Sequence, residues 1–313
     1  MTNDIFLHDS MQIVTDNGIK NISKLIRSDK IIGVDIKGYI ASISPSIIHR
    51  NNYGAMYEIK TSQFDLKVGA NKSFFYDGDV INTVTAYDIS ETLVGCDIKI
   101  PAYTYEHKVI GNKTSIAEIK LYALTKMKRS TVIGDILRVP ASSKYNIDVI
   151  EDVLSEANVE YAWKESKVGR TYYIKYRVET KKIPSAFCET MNLLQAQAFI
   201  EMLILFDTAK LHSYNDGRLI LCEEYNAYAI IMILLKAGYR CSIGNNYKYR
   251  DGIDSISISK HKFWDTNIIS AHLRQNDRQD RVICLPDDYC GFYVISYGRI
   301  FLISNEYINK RHL

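Results

Sequence analysis

Between residues 171 and 178 the side chains alternate, so that Tyr173, Lys175 and Arg177 share one face of a strand while Tyr172, Ile174, Tyr176 and Val178 share the other. One face is cationic and the other is suited to packing. Lys164 and Lys167 lie just upstream, and Arg240, Lys248 and Arg250 recur in a second hairpin-like segment. Such a row of cations suits phosphate contact, although lysine and arginine also coat ordinary exposed strands. Covalent chemistry has less to stand on. No G-x-S-x-G, P-loop, H-E-x-x-H or Rossmann glycine pattern occurs. The six cysteines (Cys96, Cys188, Cys222, Cys241, Cys284 and Cys290) form no C-x-x-C pair and have no histidines at zinc spacing. They read as reduced, mostly buried thiols. His312 reads as a solvated terminal residue, because a general base needs a substrate group within hydrogen-bond reach.

The elements that must position these residues come from a chain too long for one usual core. At 313 residues, two domains or one domain inserted in another are expected. Apolar residues at 47%, charged residues at 24% and five prolines imply a chain folded throughout. A net charge of +3 and a pI near 8.3 permit a polyanionic partner without requiring one. No apolar run approaches the length of a membrane span. With no signal peptide in view, an intracellular, cytoplasmic protein is expected. The excess of 23 tyrosines over 10 phenylalanines suits half-exposed β surface.

Short strands are predicted over residues 11–15, 21–26, 31–35, 57–61, 65–68 and 73–76, with turns at Asp16-Asn17-Gly18, Lys37-Gly38 and Asp77-Gly78. From Ile116 the period becomes helical through Ile119, Tyr122, Ala123 and Met127. A strand (135–139), a helix (147–157) and the basic hairpin (161–164 with 171–178) follow. The order then recurs as a helix (193–206), a strand (218–222), a helix (224–236) and strands (240–243 and 255–259), an internal αβαββ duplication. After Arg281 short strands return, over 292–296 and 299–303, so both termini are expected to build one β domain.

The run Asp9-Ser10-Met11-Gln12-Ile13-Val14-Thr15, with Gly18, Ile22, Leu25, Asp29 and Val34 after it, resembles the opening of Hint domains, the self-splicing fold of inteins. Tyr289-x-Gly291-x-Tyr293 with Ile300-Phe301-Leu302-Ile303 resembles its closing strands. The resemblance implies an opening Cys or Ser that attacks the preceding peptide bond, but that position falls near Ile5. The family's Thr-x-x-His aligns with Gly69-Ala70-Asn71-Lys72, and its terminal His-Asn with Arg311-His312-Leu313. Splicing is therefore expected to be lost.

The duplicated region, about 110–270, resembles LAGLIDADG homing endonucleases, chiefly in Gln195-Ala196-Gln197-Ala198-Phe199-Ile200-Glu201 leading to Leu205-Phe206-Asp207, and in Leu234-Leu235-Lys236-Ala237-Gly238-Tyr239. That resemblance implies two apolar helices packed at the repeat interface, each ending in an acid that holds shared divalent metals for phosphodiester hydrolysis. It makes Asp207 the candidate catalytic and metal-binding acid. The first repeat offers only Thr125 and Lys126-Met127-Lys128-Arg129 at the matching place, so two-metal cleavage is expected to be impaired or lost.

The resulting expectation is a β plus α+β protein: a Hint-like all-β domain (1–108 and 281–313) interrupted at 109–280 by a pseudo-two-fold LAGLIDADG-like domain with repeats at about 113–182 and 190–262. It is expected to be a monomer that binds double-stranded DNA through Lys164, Lys167, Tyr173, Lys175, Arg177, Arg240, Lys248 and Arg250. Mg2+ is expected only if nuclease activity survives. Alternatives are an active site-specific endonuclease that takes its second carboxylate from Glu118 or Glu201, and a non-enzymatic protein- or RNA-binding subunit. A chain running from Met1 to Leu313 without flanking sequence implies a free-standing protein, and the Asn-, Ile-, Lys- and Tyr-rich composition suggests a phage or mobile element.

Overall fold

Gly18 adopts φ 100°, which lets the chain reverse between Gln12–Thr15 and Gly18–Asn21, while the Thr15 hydroxyl donates to the Gly18 carbonyl at 2.7 Å. A strand expected at 21–26 is instead a tight 3-10 turn, Ile22–Lys24. Ile22 and Leu25, three apart, both point into the core, a spacing that a turn satisfies and a strand does not. The carboxylate of Asp29 fastens this turn by accepting from the Lys20 ammonium (2.6 Å), the Ile26 amide (3.0 Å) and the Asn17 side chain (3.1 Å).

Burial pushes the Asp29 carboxyl up, but those hydrogen bonds outweigh it and hold it below the usual carboxylate range. The unfolded chain then binds the proton more tightly, so Asp29 stabilises the fold above the ordinary carboxylate pKa. That contribution is lost as pH falls through its folded value. Asp29→Asn is expected to cost about 2–3 kcal/mol at pH 7 and to flatten the acid limb of stability. Urea unfolding at pH 7 and pH 3 checks this, and an equal loss at both pH values would overturn it.

The structure is a computed structural model and describes residues 4–6, 11–69, 75–77, 83–84, 86–102, 113–127, 129–177, 182–207, 216–220, 227–243, 255–261, 263–286 and 288–304. These residues form a mixed α and β protein rich in antiparallel strands, with six helices among them. A seven-stranded sheet runs Asp65–Gly69, Ser46–Thr61, Phe263–Cys284, Asp97–Pro101, Phe75–Asp77 and Thr83–Val84, with Asp4–Phe6 also paired to Phe263–Cys284. A nine-stranded sheet runs Asp216–Ile220, Ser255–Ser259, Arg240–Ile243, Arg299–Ser304, Tyr289–Ser296, Gln12–Thr15, Ile31–Asp35 and Ile40–Ile43, with Gly18–Asn21 beside Gln12–Thr15. Strands from both chain ends thus share a ladder, with Ile13 opposite Val294.

A division at residue 280 falls inside one continuous strand, Phe263–Cys284, whose ladders all run to strands within residues 4–101. Its polar middle shows no apolar alternation in the sequence. Pairing with Ser46–Thr61 continues through that stretch because bulges absorb the register shifts, as between Arg274 and Asp277.

The third sheet has four strands, in the order Thr131–Ile133, Ile136–Ala141, Gly169–Lys175, Tyr161–Ser166. Setting its extra margin Thr131–Ile133 aside, the three main strands lie in the order first, third, second along the chain. Asp216–Ile220, Arg240–Ile243 and Ser255–Ser259 repeat that order.

Each of these units is preceded by a helix, Ile116–Leu124 and Leu193–Asp207, and the two helices pack together. Ser115 caps the first in a capping box with Glu118. The Gln195 side chain donates to the Thr114 carbonyl (2.8 Å), and Tyr122 meets Phe199 with ring centroids 6.3 Å apart, so the helices run parallel from adjacent starts. Leu193–Asp207 buries Phe199, Ile200 and Leu203 on one side and Gln195, Ala198 and Met202 on others, as suits a helix enclosed by protein. Ala227–Lys236 is buried along its whole length. Among the described residues no helix is long and apolar enough to cross a membrane.

Candidate nucleic-acid interface

The four-stranded sheet has an inner face built by period-two alternation. Leu137, Val139, Ala141, Tyr172 and Ile174 are buried on it, against the helix Lys144–Glu156. Glu151 of that helix accepts from the Tyr172 hydroxyl (2.9 Å) and from the Arg170 guanidinium (2.6 Å), and Arg170 also stacks on Trp163 at 4.3 Å. Burial pushes the Tyr172 phenol up to about 12. Arg170 is therefore a packing cation, committed inwards.

The outer face carries the opposite set. Cross-strand register puts Arg138 beside Tyr173 and Tyr173 beside Ala162; Ile136 lies beside Lys175, and Thr171 beside Lys164. Arg138, Lys164, Tyr173 and Lys175 therefore converge on one surface, and all four are exposed. Exposed Ile133 and Ile136 border them. Lys175 pairs with Glu160 at 2.9 Å, but both side chains are largely in solvent, where such a pair contributes little and yields readily to a phosphate. Arg177 is exposed just past the strand, and Lys167 is exposed in the turn closed by Gly169. Gly169 has φ 140°, and a methyl there would strike the Ala141 carbonyl. Arg138 was missing from the sequence-predicted set, yet its place between Leu137 and Val139 carries the same alternation signal.

In the second unit Arg240 is the expected DNA-facing cation that lies among the described residues. Arg240 is half-buried with its guanidinium over the Trp264 ring at 4.4 Å, a correction to its expected place on a DNA-facing surface. The aromatic face and the neighbouring strands hold it inside the junction. Lys248 and Arg250 lie outside the described residues.

Asp207 is the last residue of its helix, and its side chain lies outside the described set. Counted from the Gln195 and Thr114 contact, Asp207 corresponds in sequence to Lys126, whose ammonium lies 4.8 Å from the Tyr122 ring centroid. Glu118 sits at the opposite end of its helix and accepts from the Ser115 amide at 2.7 Å. Glu201 is exposed on the rim of an apolar cavity with Lys120, Tyr145 and Lys260. Among the described residues no group of three or more His, Cys, Asp or Glu could hold a metal. The first repeat has Thr125 and Lys126 at the matching place in the sequence and so supplies no second carboxylate for a pair of divalent cations.

Ile5 lies in a strand opposite Ile283, whereas residues 70–72 and 311–313 lie outside the described set. Of the described cysteines, Cys188, Cys241 and Cys290 are buried, Cys284 is half-buried and Cys96 is exposed; none of the five is in a disulfide. Burial pushes the Cys188 thiol up to about 12 despite the nearby Lys236 ammonium, so it is no nucleophile.

No protein-family model matches the chain, and comparison with curated proteins returns no match.

Proposed function

We propose that this chain binds double-stranded DNA through the open face of its four-stranded sheet, as a member of the intein and homing-endonuclease lineage that has lost splicing and two-metal cleavage. The observation that carries the reading is the convergence of Arg138, Lys164, Tyr173 and Lys175 on one solvated sheet face opposite the packing helix. The repeated strand order and the parallel helix pair support the lineage. Ile5 in place of a nucleophile and Lys126 at the sequence position corresponding to Asp207 support the loss of both chemistries.

Cations at that surface act by releasing counterions from the phosphate backbone. Arg138→Glu and Lys175→Glu are each expected to weaken binding to duplex fragments about tenfold near 150 mM salt and to lower the salt slope by about one. Gel retardation across a salt series, with and without Mg2+, tests this. Retention that neither substitution changes, or no retention at about 50 mM salt, overturns the reading. Discrete cutting with Mg2+ overturns the loss of cleavage.

A further inference from the structure

Tyr161–Ser166 forms one margin of the four-stranded sheet and is paired, among the described residues, with Gly169–Lys175 alone. All six of its residues are exposed, including Tyr161 at 42% and Trp163 at 46%. The Lys175 amide donates to the Glu160 carbonyl at 2.9 Å. Antiparallel alternation therefore turns the backbone groups of Ala162 and Lys164 inwards and leaves those of Tyr161, Trp163 and Glu165 facing out. An exposed margin of this kind is a template for another strand.

We propose that this margin pairs with the same margin of a second copy of the chain, joining two four-stranded sheets into one of eight. The occupant follows from self-complementarity. A two-fold axis perpendicular to the sheet at Ala162 sets Ala162 against itself, Tyr161 against Trp163 of the other copy, and Glu160 against Lys164, with both mixed pairs occurring twice. Glu160 and Lys164 then meet at non-hydrogen-bonded positions, where opposed side chains approach most closely. Tyr161 and Trp163 meet at hydrogen-bonded positions, where their outward backbone groups are satisfied. Neighbouring registers are worse. Centring on Trp163 sets Lys164 against Ala162 and forfeits both ion pairs, whereas centring on Lys164 opposes two ammonium groups. The margin shares Lys164 with the proposed DNA-binding face, and Glu160 is also the partner of Lys175, so self-association is read in the absence of DNA and stands or falls apart from DNA retention.

Sedimentation of the 313-residue chain over a concentration series tests it. The mass is expected to rise from 35.9 kDa towards twice that value with concentration. Trp163→Pro removes an outward N–H and leaves the inner ladder intact, so it is expected to weaken association by at least about tenfold. Glu160→Lys opposes two lysines and is expected to do the same, while adding Lys164→Glu restores association by reversing both partners. This charge exchange leaves the backbone alone and decides the matter even if the proline variant fails to fold. A mass of 35.9 kDa at every concentration overturns the proposal, leaving the margin to a strand of another protein or to none. Association that survives Trp163→Pro and Glu160→Lys also overturns it, and weakening without rescue overturns the register.

Discussion

Trp264→Ala is expected to cost about 4 kcal/mol of folding stability and to lower the unfolding temperature by about 6 °C. Trp264 stands where the second unit gives way to the long strand Phe263–Cys284, and only 7% of it is exposed. Its indole N–H donates to the Ile300 carbonyl at 2.9 Å. The guanidinium groups of Arg240 and Arg299 lie over its ring at 4.4 and 5.5 Å. Arg299 also donates to the Gln63 carbonyl at 2.6 Å, and burial holds its guanidinium below the usual range. Truncation opens a cavity, leaves the Ile300 carbonyl short of its donor and strips two half-buried cations of their aromatic partner. Trp264→Phe keeps a ring and loses the N–H, so about 1–2 kcal/mol is expected. Thermal and urea unfolding check both variants. A Trp264→Ala protein within about 1 kcal/mol of the parent would show that the junction does not depend on this side chain. Arg240→Ala is expected to lower stability while leaving the salt dependence of DNA retention unchanged, because the group is spent on the ring.

What the sequence discloses follows from how local each signal is. The hairpin of Tyr161–Ser166 and Gly169–Lys175 could be read because apolar alternation and a turn glycine lie within the segment itself. The helix Ile116–Leu124 declared itself by the helical spacing of its apolar residues and Leu193–Asp207 by its apolar content, whereas the Ser115 cap emerges only in the structure. Phe263–Cys284 did not, because its polar middle is held by backbone pairing to residues more than two hundred positions away. The turn at Ile22–Lys24 rests on Asp29 reaching back to Lys20 and Asn17, a contact that periodicity does not encode. At the candidate interface, alternation disclosed Tyr173 and Lys175. The fate of Arg240 was hidden because its partner, Trp264, arrives from another strand. Charge type alone does not distinguish a cation offered to solvent from one stacked inside.

Replacing Lys236 with alanine is expected to cost about 3–5 kcal/mol, the other large effect. Lys236 ends the buried helix Ala227–Lys236 and is itself 1% exposed. Its ammonium donates to the carbonyls of Glu189 (2.7 Å) and Met191 (3.3 Å), where the short helix Ser185–Thr190 ends. Helix C-termini leave carbonyls without intrahelical donors, and a cation is the partner they favour. Alanine removes this donor and also empties the space of the methylene stem. Lys236→Met refills that space without a donor, and about 2 kcal/mol is expected, which separates the two contributions. The segment that Lys236 fastens links the first unit to the second, so its loosening is expected before global unfolding. Cys188, buried in that short helix, supplies the reporter. In both variants thiol labelling of Cys188 is expected to accelerate well ahead of Cys241, which lies in the second unit's sheet. Equal acceleration at both thiols would mean that Lys236 supports the fold as a whole. An unchanged labelling rate with unchanged urea midpoints would mean that the carbonyls at the end of Ser185–Thr190 do not need it.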